Sequence, residues 1–499
     1  MTRHWKTHLW WNTATNYLRM VLRIISGILV FRLLYQHFSA EQFGYWSLLW
    51  SVFGYTILLD FGMGYTAERE VAHCTATGEW DRLNRLLSTM VWSFIGLGLV
   101  VVLVFILIHS FFLNSIHISP ENRTSFSWAY WIFFGALALA FPLGVFSEML
   151  VGLQRVDLLN WTGIVSSLIN LGMVFAAIHY HWPFETFVFV AVITSLTPNF
   201  FAYFMVRRLI PQLSLKPQLF HFPSVRAVLS FSLVAYVIKL TSIIVTQTDQ
   251  LVISMCIGVA FVTVYQAGYK VSEIFGMFTQ QMQGALDPVA AHLRAKGDET
   301  SLRVLLMTST RLIALISTPG YALAAVYLDS LIKLVTGLDE VNASTFWVGQ
   351  ILLFHTYSTL LTSSCAKPIL LMCGWEKPLL KRSLANALVN LALSILLVYK
   401  FGVVGVALGT LMPGVLIGWF GILPLALKFA KTSFSQWARE IYLPIFAPVG
   451  LSLIILLVAT QAWALPSHAS FLGVIVRSIV IMLPVGIYLI RIRKQLFHI

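Results

Sequence analysis

Apolar runs of about twenty positions, separated by short polar connections, follow one another along all 499 residues. A helix needs about 20 mostly apolar residues to cross the hydrocarbon core. Lipid offers the backbone no hydrogen-bond partners, so spans of this length must be helical. The pattern predicts fourteen helices, at about 14–35, 43–66, 86–113, 127–152, 160–180, 184–206, 228–249, 262–288, 303–327, 344–365, 383–400, 403–427, 441–462 and 470–490. No soluble domain interrupts them. The fold class expected is an all-α integral membrane protein.

The basic residues orient these helices. Counting alternate connections, twenty-three Lys and Arg fall on one side and three (Arg123, Lys333 and Lys400) on the other; seven lie within spans. Cytoplasmic connections carry the excess of positive charge. Both termini of this multi-pass protein are therefore expected in the cytoplasm.

A weak duplication runs through the chain. Residues 72–89, AHCTATGEWDRLNRLLST, align without gaps to 291–308, AHLRAKGDETSLRVLLMT, at an offset of 219 with eight of eighteen positions identical. GLQR at 152–155 echoes GWEK at 374–377, offset 222, and SLTP at 195–198 echoes TLMP at 410–413. Repeats of even helix number enter the membrane from the same side. The reading is two six-helix lobes, 1–226 and 227–440, related by a pseudo-two-fold along the membrane normal, followed by two more helices in 441–499. Such lobes suit alternating access around a mid-membrane site.

Composition agrees. The chain is 58% hydrophobic and 11% charged, with a mean hydropathy of +0.81, where a soluble domain carries about 25% charged residues. The net charge of +13 is spread over connections and reports topology, not nucleic acid. Cys74, Cys256, Cys365 and Cys373 have no paired spacing, so neither a disulfide nor a metal site is expected. The first apolar stretch is too long and too basic for a cleaved signal. No phosphate loop, HExxH motif or D-x-D pair is present, and the outer connections are short. An enzyme is not expected, and neither is a cofactor.

What remains are charges inside spans. One at the bilayer centre costs about 2.5–3.5 kcal/mol on insertion scales. The first helix, NYLRMVLRIISGILVFRLL at 16–34, carries three. Arg19 and Arg23 are four apart and share a face. Two guanidiniums so placed repel each other unless an anion or carboxylate lies between them. They read either as a clamp for a diphosphate, which the planar fork of arginine matches, or as partners of Asp60 or Glu273. Arg32, on the opposite face near the outer end, reads as snorkelling. Lys239 falls one residue from the repeat counterpart of Arg19 and, with Lys270, could extend the basic cavity. Lys270 and Glu273 could equally form an i,i+3 ion pair. Asp60, Glu273 and Asp249 are candidates for carrying a coupling ion, although Asp249 also reads as a marker of a helix end. His73 and His292 read as loop residues tied to helix ends, and Pro142, Pro198 and Pro413 as kinks.

These residues carry a resemblance. FSAEQFGYWSLLWSVFGYTILLDFGMG (38–64) is similar to the second-helix signature of polysaccharide and O-antigen exporters, in which an acidic-aromatic-Gly entry leads to Leu-Leu-Asp-x-Gly. NLALSILLVYKFGVVGVALGTLM (390–412) resembles the eleventh–twelfth helix segment with its F-G-x-x-G-x-A-x-G-T link. VTQTDQLVISMCIGVAFVTVYQAGYKV (245–271) resembles the seventh–eighth. The resemblance implies the multidrug/oligosaccharidyl-lipid/polysaccharide exporter fold. It further implies flipping of a polyprenyl-diphosphate-linked oligosaccharide to the outer leaflet, with Arg19, Arg23 and Lys270 at basic cavity positions. The second helix lacks a mid-helix arginine that some relatives carry. Expected partners are that lipid-linked oligosaccharide, membrane lipids and the polymerase and chain-export machinery of polysaccharide assembly, with a single copy of the chain sufficing. Alternatives are a peptidoglycan-precursor flippase, a multidrug antiporter of the same fold, which three arginines in the first helix disfavour, and a membrane polymerase or ligase, which would need a larger outer loop.

Overall fold

A computed structural model describes residues 4–56, 63–221, 233–283, 286–446, 449, 450 and 479, and among the described residues there is no strand. Six described segments are long and apolar enough to cross a membrane. Contacts divide the chain into two compact units, residues 1–243 with 253–263, and 244–252 with 264–499.

In the first unit the helices are α1 (His4–His37), α2 (Ala40–Thr56), α3 (Met63–Thr77), α4 (Trp80–Ser115), α5 (Arg123–Gly152), α6 (Val156–His179) and α7 (Phe184–Leu209). α1 packs along α6, and α5 along α4 and α7. Side chains of α3, α4, α5 and α7, among them Val71, Leu83, Leu87, Met149 and Val206, form a buried core. The outward surface is apolar as well: Leu99, Leu103, Leu107 and Phe111, one turn apart on α4, are 58–81% exposed. Such a continuous apolar face belongs in lipid.

The exporter-like FSAEQFG stretch has a local reason at each polar position. Ser39 and Gln42 form a reciprocal capping box, each backbone N–H donating to the other's side chain at 3.2 Å. Glu41 accepts from Ser119 and Asn122 and ties down the connection before α5. At Gly44 a side chain would collide with the Val259 carbonyl, and Thr263 donates its hydroxyl to the Ala40 carbonyl. These contacts bring residues 253–263 into the first unit.

α8 (Leu233–Cys256) is divided between the units. The second unit holds α9 (Ala260–Gln283), α10 (Leu286–Ala295), α11 (Glu299–Val326), α12 (Leu328–Thr336), α13 (Ala343–Thr362), α14 (Ala366–Met372), α15 (Glu376–Ile417), α16 (Leu423–Ala430) and α17 (Phe434–Trp437), with π turns at Gly418–Ile422 and Ala438–Tyr442. α15 merges the two helices expected at 383–400 and 403–427. The break between them is Gly402, at φ 58° and ψ −138°, a conformation only glycine adopts readily. Beyond it, a side chain on Gly405 would fall 2.1 Å from the Leu397 carbonyl oxygen, and one on Gly409 2.5 Å from the Ser394 nitrogen. The F-G-x-x-G-x-A-x-G-T link is thus a tight hairpin whose two arms touch at their glycines.

Several expectations need correction. His73 and His292 lie on α3 and α10, not in loops, and both are exposed. The second echo is out of register. Gln154 and Gly374 are the left-handed residues of their turns, and the next helices start at 156 and 376. The structural offset there is therefore 220, not 222, because a left-handed turn sets the register and sequence identity does not. The Leu-Leu-Asp-x-Gly end of the second helix, most of the thirteenth helix and all of the fourteenth but Ile479 lie outside the described residues.

Candidate functional site

The basic stripe of the first helix is built jointly by α1 and α6. Arg19 Nη1 donates to Asn160 Oδ1 at 3.3 Å, and Asn160 Nδ2 donates to Thr15 Oγ1 at 3.0 Å, one turn earlier on α1. Asn160 and Thr15 are buried, so the amide is held between them. Gly163, nearly one turn beyond Asn160, makes room: a Cβ there would lie 2.6 Å from Arg19 Nε. The guanidinium is therefore laid flat on α6. Arg23, one turn on, is exposed. Neither arginine forms an ion pair with a carboxylate among the described residues. Asp60 lies outside the described residues, and Glu273 is engaged elsewhere. Arg32 is half-buried toward the other end of α1, and Lys239 is exposed on α8.

Glu273 accepts from Lys270 Nζ at 2.8 Å, an i,i+3 ion pair on α9. Arg19, Arg23 and Lys239 fall in the first unit, and Lys270, Glu273 and Asp249 in the second.

Asp249 does not mark a helix end. It lies within α8 and is 4% exposed. Its Oδ2 accepts from the Tyr265 hydroxyl and from Thr410 Oγ1, the latter at 2.9 Å. Asn390 Nδ2 in turn donates to Thr410 Oγ1 at 2.9 Å. One arm of the glycine hairpin thus delivers the Thr410 hydroxyl to the carboxylate, and Asn390 on the other arm braces that hydroxyl. Asp249 Oδ1 and Asn390 Oδ1 are buried without a hydrogen-bond partner. Two buried acceptor oxygens in one network leave it short of a donor or a cation.

Asn160, Gly163, Tyr265, Asn390 and Thr410 were not expected as site residues. A signal existed for some: Thr410 opens the TLMP echo, and Asn160 and Asn390 are amides inside apolar spans, where an unsatisfied polar group is expensive. His73, Cys74 and Glu79 also place ligand-type atoms within 4.8 Å of one another, although no metal site was expected. Glu79 there is engaged by Arg82 at 3.1 Å.

The polysaccharide biosynthesis protein family matches residues 9–293, and the MatE family matches 235–396. No curated protein sequence matches. Among solved structures, a lipid II flippase MurJ in an inward closed conformation superposes with TM-score 0.71 at 15% identity, covering 97% of this chain and 99% of that one. An inward-facing multidrug resistance MATE transporter gives 0.67 at 14% identity over 83% of this chain and 96% of that one. A superfamily transporter from Pyrococcus furiosus, described as having a binding pocket of reversed polarity, gives 0.58 at 12% identity over 86% and 97%. At these identities the structural likeness speaks for the fold of a transporter or flippase. The chain belongs to the polysaccharide biosynthesis protein family.

Proposed function

We propose that this protein carries a polyprenyl-diphosphate-linked oligosaccharide from the cytoplasmic to the outer leaflet of a bacterial inner membrane, for exopolysaccharide, O-antigen or capsule synthesis. The observation that carries the reading is the Arg19–Arg23 stripe. Two membrane-embedded cations on one face, with no carboxylate ion pair among the described residues, suit a diphosphate in a wet cavity. Asn160 and Gly163 hold Arg19 in one posture, which favours planar, forked recognition of phosphate oxygens. The wider architecture of this reading is fourteen helices, two lobes at 1–226 and 227–440 with pseudo-two-fold symmetry, two further helices, and both termini in the cytoplasm. Lys239 extends the basic cavity, Lys270 lies beside it held by Glu273, and the protein hands its product to a polymerase and export machinery.

Asp249 is the coupling group of this reading. Its two bound donors, its own unpartnered Oδ1 and that of Asn390 suit a proton or a small cation. Glu273 is less suited, since Lys270 already neutralises it.

The second reading, a flippase of peptidoglycan lipid precursors, is favoured by the full-length match to the lipid II flippase. Reconstituted protein would be assayed with both lipid-linked substrates. The proposal expects flipping of the oligosaccharide lipid, lowered about a hundredfold by Arg19→Ala with Arg23→Ala, roughly 1.4 kcal/mol per lost charged contact. Unchanged flipping in the folded double variant removes the clamp. Turnover of lipid II alone selects the second reading.

A further inference from the structure

Where α4 runs into α5, at the end of the first unit away from the Arg19 stripe, the two helices flank an open cavity of about 420 Å³. Its walls carry the Arg123 guanidinium, the His109 imidazole, the Thr124 and Ser127 hydroxyls and the indoles of Trp128 and Trp131. No carboxylate lines it. His109 Nε2 lies 2.9 Å from Ser127 Oγ, and its ring stacks on Trp131 at 4.6 Å. Arg123 donates to Asn114, which leaves other N–H groups of its five-donor fork for a ligand.

Apolar contacts between α4 and α5 lie beneath the cavity. One turn deeper, Phe105 stacks on Phe134 at 3.7 Å and the Tyr130 hydroxyl donates to the Phe105 carbonyl at 2.7 Å. Further down, Gly98 lets α4 approach the Ala138 carbonyl. On the face of α4 that bears Ser110, Ile106, Leu103 and Leu99 follow at helical spacing and are 50%, 58% and 62% exposed. Arg123 is also one of only three cations in the connections opposite the basic side. A cation there runs against the general bias.

We propose that this cavity binds the phosphate headgroup of an anionic phospholipid, whose acyl chains lie along the Leu99–Ile106 face of α4. One guanidinium with two hydroxyl donors balances the single charge of a phosphodiester, whereas a diphosphate would call for a second cation. Tryptophans at this level suit the membrane–water boundary. Assignment to the outer leaflet rests on the charge topology above; the headgroup contact does not.

The test is a titration of the full-length protein in detergent, read by native mass spectrometry and by melting midpoint. Phosphatidylglycerol, phosphatidylcholine, inorganic phosphate and undecaprenyl diphosphate are compared. Phosphatidylglycerol should bind saturably and raise the midpoint. Arg123→Ala should weaken it about tenfold, equivalent to roughly 1.4 kcal/mol, and Arg208→Ala, which removes an exposed cation elsewhere, should not. Should Arg123→Ala fail to fold, the double variant Thr124→Val with Ser127→Ala answers the same question, with a loss of about threefold to tenfold expected. Equal phosphatidylglycerol affinity in the folded variants overturns the site. Equal binding of phosphatidylcholine, or full stabilisation by inorganic phosphate, overturns the anionic-lipid assignment. Preference for undecaprenyl diphosphate overturns it in favour of the transported lipid. None of these arms measures flipping, so the result stands apart from the proposed transport function.

Discussion

Residues 72–89 and 291–308 build the same turn from different side chains. In the first, Glu79 N donates to the Cys74 carbonyl at 3.1 Å, Trp80 N to Gly78 at 2.9 Å and Leu83 N to Glu79 at 3.1 Å. In the second, Asp298 N donates to Leu293 at 3.1 Å, Glu299 N to Gly297 at 3.0 Å and Leu302 N to Asp298 at 3.2 Å. Each bond recurs at the offset of 219. Gly78 and Gly297 have φ of 77° and 70°. The acidic residues that follow them differ. Asp298 is short enough to cap α11, accepting from Ser301 N and Ser301 Oγ at 2.9 and 2.7 Å. Glu79, one methylene longer, caps nothing at α4 and instead accepts from Arg82, at the position equivalent to Ser301. The backbone course is common to the two turns because glycine allows it, while the side-chain chemistry differs.

The two units differ in the same manner in how they hold charge within apolar helices. The first lays a guanidinium against an amide and a glycine and leaves its neighbour Arg23 exposed. The second buries Asp249 under hydroxyls and pairs Lys270 with Glu273. An open cation invites an anionic ligand, and a buried carboxylate with spare acceptors invites a small cation.

The largest effect that would sharpen this contrast belongs to the coupling group. If Asp249 carries the ion, Asp249→Asn should abolish the rise in flipping produced by a proton or sodium gradient, a change of about tenfold if one charged contact of roughly 1.4 kcal/mol is lost. A variant that still answers both gradients would break the assignment. Lys270→Ala with Glu273→Ala should change the rate by less than about threefold, because an i,i+3 pair is worth only about 0.2–0.5 kcal/mol; a hundredfold loss would move Lys270 into the clamp.

Stability measurements probe the shared backbone. Gly405→Ala forces a Cβ onto the Leu397 carbonyl and should destabilise by about 3 kcal/mol, the upper range for overpacking, in denaturant unfolding of the micellar protein. Gly78→Ala and Gly297→Ala meet no atom within 4 Å, so only their left-handed conformation is strained, at about 1–2 kcal/mol each. Equal losses would support a common turn, and unequal ones would separate the two junctions.

The smallest effect concerns acid. Hydrogen bonds from Ser301, the backbone N–H first, hold the Asp298 carboxyl below its ordinary range, and the Arg82 hydrogen bond does the same for Glu79. A group depressed in the folded state stabilises above its unfolded pKa, near 4, and loses that contribution as pH falls through the folded value. Asp298→Ala and Glu79→Ala should therefore lower the melting midpoint slightly at pH 7, by an amount that shrinks as pH falls through the folded values.

Much of this protein follows from composition and order along the chain. Lipid demands internally satisfied backbone, so apolar runs of about twenty residues read directly as helices, and the lopsided distribution of lysine and arginine reads as an orientation. The glycines of the F-G-x-x-G-x-A-x-G-T link and the Ser39–Gln42 box are local, so they too stand out in sequence. The pairing of Arg19 with Asn160, 141 positions away, and of Asp249 with Thr410, 161 positions away, does not. Neither partner bears a complementary charge, and although Thr410 ends the glycine link, only helix packing brings each pair together. For the same reason Asp249 reads as a helix-end marker in sequence and is a buried acceptor in the fold: burial is a property of neighbours, and the chain alone does not name them.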